Sequence, residues 1–575
     1  MPRITNSIQP PQVMLAIFDT VSNSAAKRWE DARDLLESSM RDYLHSCVYL
    51  ENSLGPRNRH IGTADIISRI ESSLDLQYQM SQQLIQSIAT LSRTRNRFSS
   101  SIWVLPEDVL SQIFLHVVYS PEIKALPMEQ CVSTLYRNLH SLLGVCSNWR
   151  NIAISQVVLW ELLPASEKSI KPESIDLSVK RSGGRGLNLA LRLARPSFGT
   201  APRVLKTVED SASRLRVINI EVDYWREIKS VMERILRGDV PSQLSGLSIR
   251  HVQFQANTTR RRTPYVIEPR SSIYSKFTVL VKSLSTLRLD LFQLKWESTT
   301  FSDRLVELVV HRVKLGESDS SIASFVSAIS SARELRDLQI IAVKIGCDQI
   351  DTTSPRVFPK FVLSKLRSLL LQDLSFSVLE FLLMAIAPGS YCTALGLTKD
   401  IVKDINPIST PNNTNIESLI GLLEFVKIDR LLLTDGCWLN NSWLEGSKLR
   451  NLLESVSGLK ELIINGFTFD ARFCNDVFPP QNIGARHNKN DFPSLELLTL
   501  TQAKIPDEHG FKRLLTNIST QKLILGGRTQ VEEVTEEIKE GSAIAGWLNS
   551  NISVVRFVDP DYLPGEMTFH GWTIW

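Results

Sequence analysis

Few residues in this chain are spaced for chemistry. There is no H-E-x-x-H to hold zinc beside a general base, and no G-x-x-x-x-G-K-[ST] to cradle nucleotide phosphates. A G-x-S-x-G nucleophile elbow and a G-x-G-x-x-G dinucleotide turn are also missing. The nine histidines have no ligand spacing, and His311 reads as a polar contact, not a base. Seven cysteines (Cys47, Cys131, Cys146, Cys347, Cys392, Cys437, Cys474) contain no C-x-x-C pair. An odd, scattered set predicts reduced, individually buried thiols of a cytosolic or nuclear protein. Ser182-Gly183-Gly184-Arg185-Gly186 is rich enough in glycine to suggest a phosphate loop. It lacks the lysine and lies between strand-like segments, so a turn is expected. Arg260-Arg261-Arg262, in an insertion from Val252 to Tyr274, reads as a solvated loop; the alternative is a nuclear-import or nucleic-acid patch. The residues therefore predict a non-catalytic protein with no cofactor and no metal.

The elements that carry these residues must divide a long chain. At 575 residues a single compact core is ruled out, leaving several domains or a repeat that grows along one axis. A formal charge of +4, with 43% hydrophobic and 22% charged residues, argues for neither nucleic acid nor an anionic membrane as partner. No secretory signal is read at the start, and the most apolar run, Phe381 to Ala387, is too short to span a bilayer. The sequons at Asn440-Asn441-Ser442 and Asn551-Ile552-Ser553 are accordingly expected to be unused.

Residues 1–24 carry no clear pattern and are expected to be loosely ordered. Over 25–98 a helical hairpin is expected. Trp29, Ala32, Leu35, Leu36, Met40, Tyr43, Leu44 and Cys47 recur at helical spacing until Leu54-Gly55-Pro56 breaks it. A second helix, from about Ala64 to Phe98, sets Ile70, Leu74, Leu84, Ile88, Leu91 and Phe98 on one 4/3 seam, interrupted by Gln77, Ser81 and Arg95. With three polar steps in the seam, the two helices are expected to cover each other; the alternative is a dimerising coiled coil.

Next comes Ile102-Trp103-Val104-Leu105-Pro106-Glu107-Asp108-Val109-Leu110-Ser111-Gln112-Ile113-Phe114. Proline suits a first helical turn, Glu107 and Asp108 complement the positive end of the dipole, and Leu110, Ile113, Phe114 and Val117 form the apolar stripe. A further stripe, Leu139, Leu142, Leu143, Cys146 and Trp149, precedes Ala153 and Leu159-Trp160. Leu-Pro-Glu-x-x-Leu-x-x-Ile-Phe, then Val145-Cys146-x-x-Trp149-Arg150, then Leu-Trp, resembles the F-box. That module is a small helical unit that docks on the Skp-type adaptor of SCF-type cullin ubiquitin ligases. The resemblance implies that Leu105, Pro106, Leu110, Ile113 and Phe114 face the adaptor, with Val145, Cys146 and Trp149 on the helix behind them. The link between the two helices, Tyr119 to Leu135, is longer than the family's usual one. This lengthening, together with Leu177-x-x-x-Arg181-Ser182-Gly183-Gly184 and Leu187-x-Leu189-x-Leu191, is similar to F-box-like proteins of mushroom-forming fungi. The segment is assigned 99–163.

The strongest signal is internal repetition. Apolar residues recur at offsets 0, +3, +5, +8 and +10 from Leu284, Leu305, Leu335, Leu366, Leu459 and Leu495. Shorter matches lie at Leu215-Ile218-Ile220, Leu244-Leu247-Ile249, Cys392-Leu395-Leu397 and Ile428-Leu431-Leu433, with closing ones around Leu523-x-Leu525 and Val555-x-Phe557. Positions +3 and +5 alternate as in a strand. Helical runs lie between: Ile322 to Ile329, Val378 to Ile386, Ile416 to Val426 and Leu449 to Val456. The pattern is that of leucine-rich repeats, so an α/β fold is expected: a leucine-rich-repeat solenoid over 164–558, its curved parallel sheet backed by outer helices. Val531 to Glu540 reads as an acidic helix with Val531, Val534 and Ile538 turned inward.

Offsets +2, +4 and +6 must point opposite to the core. They place Thr286, Arg288, Asp290, Val309 and His311 on the inner face of the earlier repeats. Leu370, Gln372, Leu432, Thr434, Ile463 and Asn465 follow on the later ones. The apolar column Leu370, Leu432, Ile463 is either an exposed site for a target protein or covered by the aromatic tail 559–575, with Tyr562, Phe569, Trp572 and Trp575. The expectation is a substrate receptor of an SCF-type ligase, cytoplasmic or nuclear, holding a Skp-type adaptor at one end and a target on the horseshoe. The alternatives are a repeat scaffold without a ligase link, touching nucleic acid through the arginine cluster, and an enzyme of unrecognised chemistry.

Overall fold

The computed structural model describes residues 12–54, 63–99, 102, 105–121, 123, 126–166, 172–193, 201–252, 263–316, 319–345, 360–399, 401, 414–435, 443–479, 492–531 and 534–565. The chain divides into two compact units, Met1–Val104 and Leu105–Trp575.

The first unit is two long helices, α1 (Gln12–Ser53) and α2 (Thr63–Ser99). From Gln12 to Ser53 there is neither glycine nor proline, so nothing interrupts the backbone ladder. For the same reason α1 begins at Gln12, well upstream of the expected start near Ala25, and only the first residues of the 1–24 segment precede it. The helices meet where Tyr43 Oη lies 2.7 Å from Ser73 Oγ and accepts from Gln77 Nε2 at 3.0 Å.

The second unit opens with α3 (Glu107–Val118), α4 (Met128–Val145) and α5 (Ser147–Ser155). Both α3 and α4 have proline as N-cap, Pro106 and Pro127, at an end where a missing N–H costs no bond. Because Met128 already starts α4, the α3–α4 link ends at Pro127 and is shorter than the Tyr119–Leu135 stretch read from the sequence. Cys146 does not continue α4. Its extended backbone breaks the helix, and its Sγ accepts from the Trp149 amide to cap α5. Val145 and Trp149 therefore sit on different helices.

A fifteen-stranded sheet follows: β1 (Leu162–Ser166), β2 (Leu187–Leu193), β3 (Leu215–Val222), β4 (Gly246–His251), β5 (Thr286–Asp290), β6 (Glu307–His311), β7 (Asp337–Ile341), β8 (Ser368–Gln372), β9 (Cys392–Leu397), β10 (Arg430–Thr434), β11 (Glu461–Asn465), β12 (Leu495–Ile505), β13 (Thr520–Val531), β14 (Val534–Glu537) and β15 (Val554–Phe557). β1 to β13 pair in chain order and in parallel, each with the next. Helices lie between many of them, among them Asp319–Ser330, Phe376–Ala385, Gly446–Ser455 and Glu508–Asn517. The arrangement is a mixed α/β solenoid, as the repeat spacing predicts. β1 starts at Leu162, so the sheet begins slightly before the expected 163/164 boundary.

The repeat phase sets the strands and their burial. In five of the six full repeats the strand occupies offsets +2 to +6, and in the sixth β12 runs from offset 0 to +10. Positions +3 and +5 are buried, as in Leu287–Leu289, Leu308–Val310, Leu369–Leu371 and Leu462–Ile464, and +8 joins them at Phe292, Val313, Val343 and Phe467. All belong to one continuous core shared with the helices. Offset +7 is the turn. Leu291, Arg312, Ala342, Asp373, Gly466 and Gln502 all have φ between 51° and 78°. In that conformation the amides of Leu291, Arg312, Ala342, Asp373 and Gly466 reach the +6-level carbonyls of the next strand, those of His311, Ile341, Gln372, Gly396 and Thr501, at 2.8–3.1 Å. Left-handed backbone is strained for side chains other than glycine, so each repeat offsets that strain by tying itself to its neighbour.

One seam departs from the repeat spacing. Ser368 of β8 pairs with Cys392 of β9, although equal offsets would put Ala394 there. The two-residue offset keeps every side chain on its face and lays Gly396 beside Gln372. A Cβ on Gly396 would press on Cβ of Gln372 at 2.9 Å, so glycine is what lets this pairing close.

Two further expectations are corrected. Val531 to Glu540 is no helix: β13 turns back on β14 as an antiparallel pair, with Val531 opposite Val534 and Gln530 opposite Thr535. The β-branched Val534-Thr535 favours strand over helix, and only Ile538 of the three apolar residues lies beyond the strands, where it is buried. Upstream of Ser182–Gly186 lies a helix, Pro172–Arg181, and not a strand. Gly183 and Gly184, at φ 58° and 84°, end that helix as a left-handed cap before β2.

Candidate interaction surfaces

Residues 105–160 form a helical cap with a core of its own. Leu110 and Phe114 of α3 are buried, and the Phe114 ring lies 4.9 Å from that of Trp149. Trp160 is buried with its Nε1 donating to the Ala153 carbonyl at 2.9 Å, and the Arg181 guanidinium stacks 4.2 Å over its ring. Leu110 and Phe114, expected to face an adaptor, instead hold the cap together, because an i, i+4 pair with one side toward α4 and α5 cannot also point outward. Cys146 and Trp149 are half-buried and likewise structural. What α3 offers outward is Pro106, Val109, Ile113 and Val117, four exposed residues with the last three four apart, and Leu105 half-exposed beside them. Val109 and Val117 were not singled out because the apolar arc of α3 is wider than its buried face, and periodicity alone cannot choose which part of that arc is buried.

One half-buried phenol joins the cap to the sheet, and a second ties the cap to itself. Tyr136 of α4 donates to the Leu162 carbonyl at 3.0 Å and meets Ser178 Oγ at 2.8 Å; burial pushes its pKa up to about 12, against the opposing effect of that Ser178 contact. Tyr119 donates to the Val158 carbonyl, and burial raises its pKa too.

Across the inner face, one rung of the sheet carries Arg192, Glu221, Arg250, Asp290 and His311 on successive strands. Arg192, Glu221, Arg250 and Asp290 alternate in sign, so each of these charges faces an opposite one on the next strand. Arg250 Nη1 lies 3.6 Å from Glu221 and its Nε 3.4 Å from Asp290; His311 Nδ1 is 3.1 Å from Asp290. Arg192 reaches Asp223 at 2.7 Å, and Arg312 grips both Asp290 oxygens at 2.6 and 2.7 Å. Burial acts to raise the Asp290 pKa, but the hydrogen bonds from His311 and Arg312 hold it below its ordinary value. Burial raises that of Glu221 despite Arg250 and Arg192. His311 is thus a buried member of an ion network, as a polar contact would be.

Further along the same face, Ile341, Leu370, Ala394, Leu432 and Ile463 form a second apolar cluster, separate from the main core. Leu432 and Ile463 are 1% and 3% exposed, and Leu370 is 9%. The expected open column is therefore not an open surface. The β8–β9 offset also bends it. Leu370 aligns with Ala394 and Arg430, whereas Leu432 and Ile463 share a rung with Gln372 and Gly396. Val309, Gln372 and Asn465 are buried as well, Asn465 Oδ1 accepting from Thr501 at 2.9 Å; Thr434 alone of the expected contacts is half-exposed. The aromatic tail bears on this point, but Phe569, Trp572 and Trp575 lie outside the described residues, as do Arg260–Arg262; Tyr562 is exposed.

At the carboxyl ends of β6 to β10 the turns enclose a cleft of about 580 Å³ lined by Arg312, Lys314, Lys344, Asp373, Lys399 and Thr434. Sequence reasoning missed it. The available signal was a lysine at offset +9 in two successive repeats, Lys314 and Lys344, whose backbones bridge in parallel. Arg312 is committed to Asp290, so the cleft presents three lysines and one carboxylate. Among the described residues, no three histidine, cysteine or acidic side chains are grouped to hold a metal, and no helix is long and apolar enough to cross a membrane. No known protein-family model matches the chain, and no curated protein matches it.

Proposed function

We propose that the chain is a non-catalytic substrate receptor of an SCF-type ubiquitin ligase: an F-box-like cap that holds a Skp-type adaptor, followed by leucine-rich repeats that hold a target protein. The observation that carries this reading is the outward stripe of α3. Pro106, Val109 and Ile113 are apolar, adjacent and exposed, on a helix whose adjoining face is fixed by Leu110 and Phe114. A stable cap has no need of such a stripe for its own core, and an apolar contact is what a partner helix would bury. The Leu-Pro-Glu, Cys-x-x-Trp-Arg and Leu-Trp motifs add the resemblance to the F-box. The receptor itself would supply proximity and no reacting group.

The test is co-purification with a Skp-type adaptor. Val109→Asp together with Ile113→Asp should abolish binding while thermal unfolding shifts far less than in Leu110→Ala, because these are exposed positions of α3 and Leu110 is a buried one. Leu110→Ala should instead destabilise the cap. Adaptor binding that survives the paired aspartates would remove the functional content of the assignment, and an adaptor that never binds the native chain would leave a repeat scaffold without a ligase link.

A further inference from the structure

The helical hairpin does not cover itself. Of the thirty-four large apolar side chains left exposed among the described residues, twenty lie between Trp29 and Phe98. On α2 the half-buried residues Ile66, Ser73, Gln77 and Leu84 follow 7-4-7 spacing and mark the face turned to α1, where Ser73 and Gln77 meet Tyr43. One residue further on, Ile67, Leu74, Tyr78 and Ile85 repeat the same 7-4-7 spacing, and all four are more than half exposed. Two adjacent heptad stripes on one helix are the mark of a bundle with more than two helices. The polar steps fall on the stripe that α1 covers, and the apolar one is left in water.

We infer that this second stripe pairs with a second copy of the chain, making a four-helix bundle from two hairpins. Ile67, Ile70, Leu74, Tyr78, Ile85 and Ile88 lie on one flank of α2. Each leaves roughly half of about 150–200 Å² in water, on the order of 500 Å² together, and the exposed apolar residues of α1 bring this toward the about 800 Å² per partner of a standard interface. The charge pattern favours self-pairing in particular. From Leu76 to Ser92 α2 carries no ionisable group apart from the Tyr78 phenol, so a two-fold axis can bring α2 against its own copy without apposing like charges. A heterologous partner chosen by electrostatics would find nothing there to select it. The inference stands apart from adaptor binding, since α3 belongs to the other unit.

Light scattering on the full chain after size exclusion tests it. The expected mass is twice the 64.9 kDa of one chain. A chain carrying Leu74→Glu and Ile85→Glu should run at the single-chain mass, as should one carrying Leu74→Lys and Ile85→Lys. Mixing the two should restore the double mass, a recovery that a merely misfolded variant could not show. A native chain that stays at 64.9 kDa up to about 100 μM, a glutamate variant that still dimerises, or a mixture that fails to recover would each overturn the inference.

Discussion

Asp290 is the residue on which the charged half of the inner face turns. Its side chain is fully buried, yet three neighbours, Arg250, His311 and Arg312, converge on it. Its folded pKa lies below the ordinary carboxylate value, so the stability it contributes is present above the unfolded pKa, near 4, and is lost as pH falls through the folded value. Asp290→Asn should therefore cost about 3–5 kcal/mol near pH 7, the usual penalty for removing one member of a buried ion network. The gap to the native chain should begin to narrow below about pH 4, where the unfolded carboxyl is protonated, and close as pH falls through the lower folded value. Denaturant melts at the two pH values measure it, and a gap independent of pH would sink the ion-network account. Strand alternation alone puts Asp290 and His311 on the inner face. That they touch depends on β5 and β6 pairing in register, which no single repeat encodes. The same limit explains Leu110 and Phe114: an apolar arc wider than the buried face does not declare which part of it the neighbours take.

Among the elements, the strands were the most legible and the segments without a repeat partner the least. Offsets +3 and +5 recur so regularly that the phase fixes both burial and neighbours. Leu369→Ala or Leu462→Ala should cost about 2–5 kcal/mol, each emptying a site between sheet and helices. Arg336→Ala, at an exposed +1 position of the repeat before that of Leu369, should stay within about 0.5 kcal/mol. Comparable losses in chemical denaturation would mean that burial does not follow the phase. Gln372 and Asn465 make poor controls, because the inner face is itself packed where they stand. The Val531–Glu540 segment went astray because spacing of three and four was read from only three apolar residues. Its pairing with β13, a long-range contact, outweighed that pattern. The β8–β9 offset was equally hidden: Gly396 fits the repeat in either register, and only the bulk of Gln372 on the adjacent strand gives it a reason.

At the scale of the whole molecule, the sheet must end somewhere, and an unpaired edge is open to other chains. The two ends are closed differently. At β1 the Tyr136 hydroxyl takes the Leu162 carbonyl, and Pro164 carries no amide to leave unpaired. At β13 the outer edge is shared, residues 522–525 pairing with β15 and 528–531 with β14. Truncation after Val531 should uncover this twelve-residue strand. Concentration-dependent scattering is expected, with the far-ultraviolet signal largely kept; a truncated chain as monodisperse as the native one would show that the closing strands protect nothing. Between these ends five seams, β5–β6, β6–β7, β7–β8, β8–β9 and β11–β12, are tied by the same amide-to-carbonyl link from a left-handed turn. The chain therefore resembles a polymer with two terminators and interchangeable monomers. Duplication or loss of an internal monomer by recombination leaves both terminators intact. The length of the inner face can then change while the helical cap and closing hairpin stay as they are, so the sheet can be lengthened or shortened without rebuilding its ends.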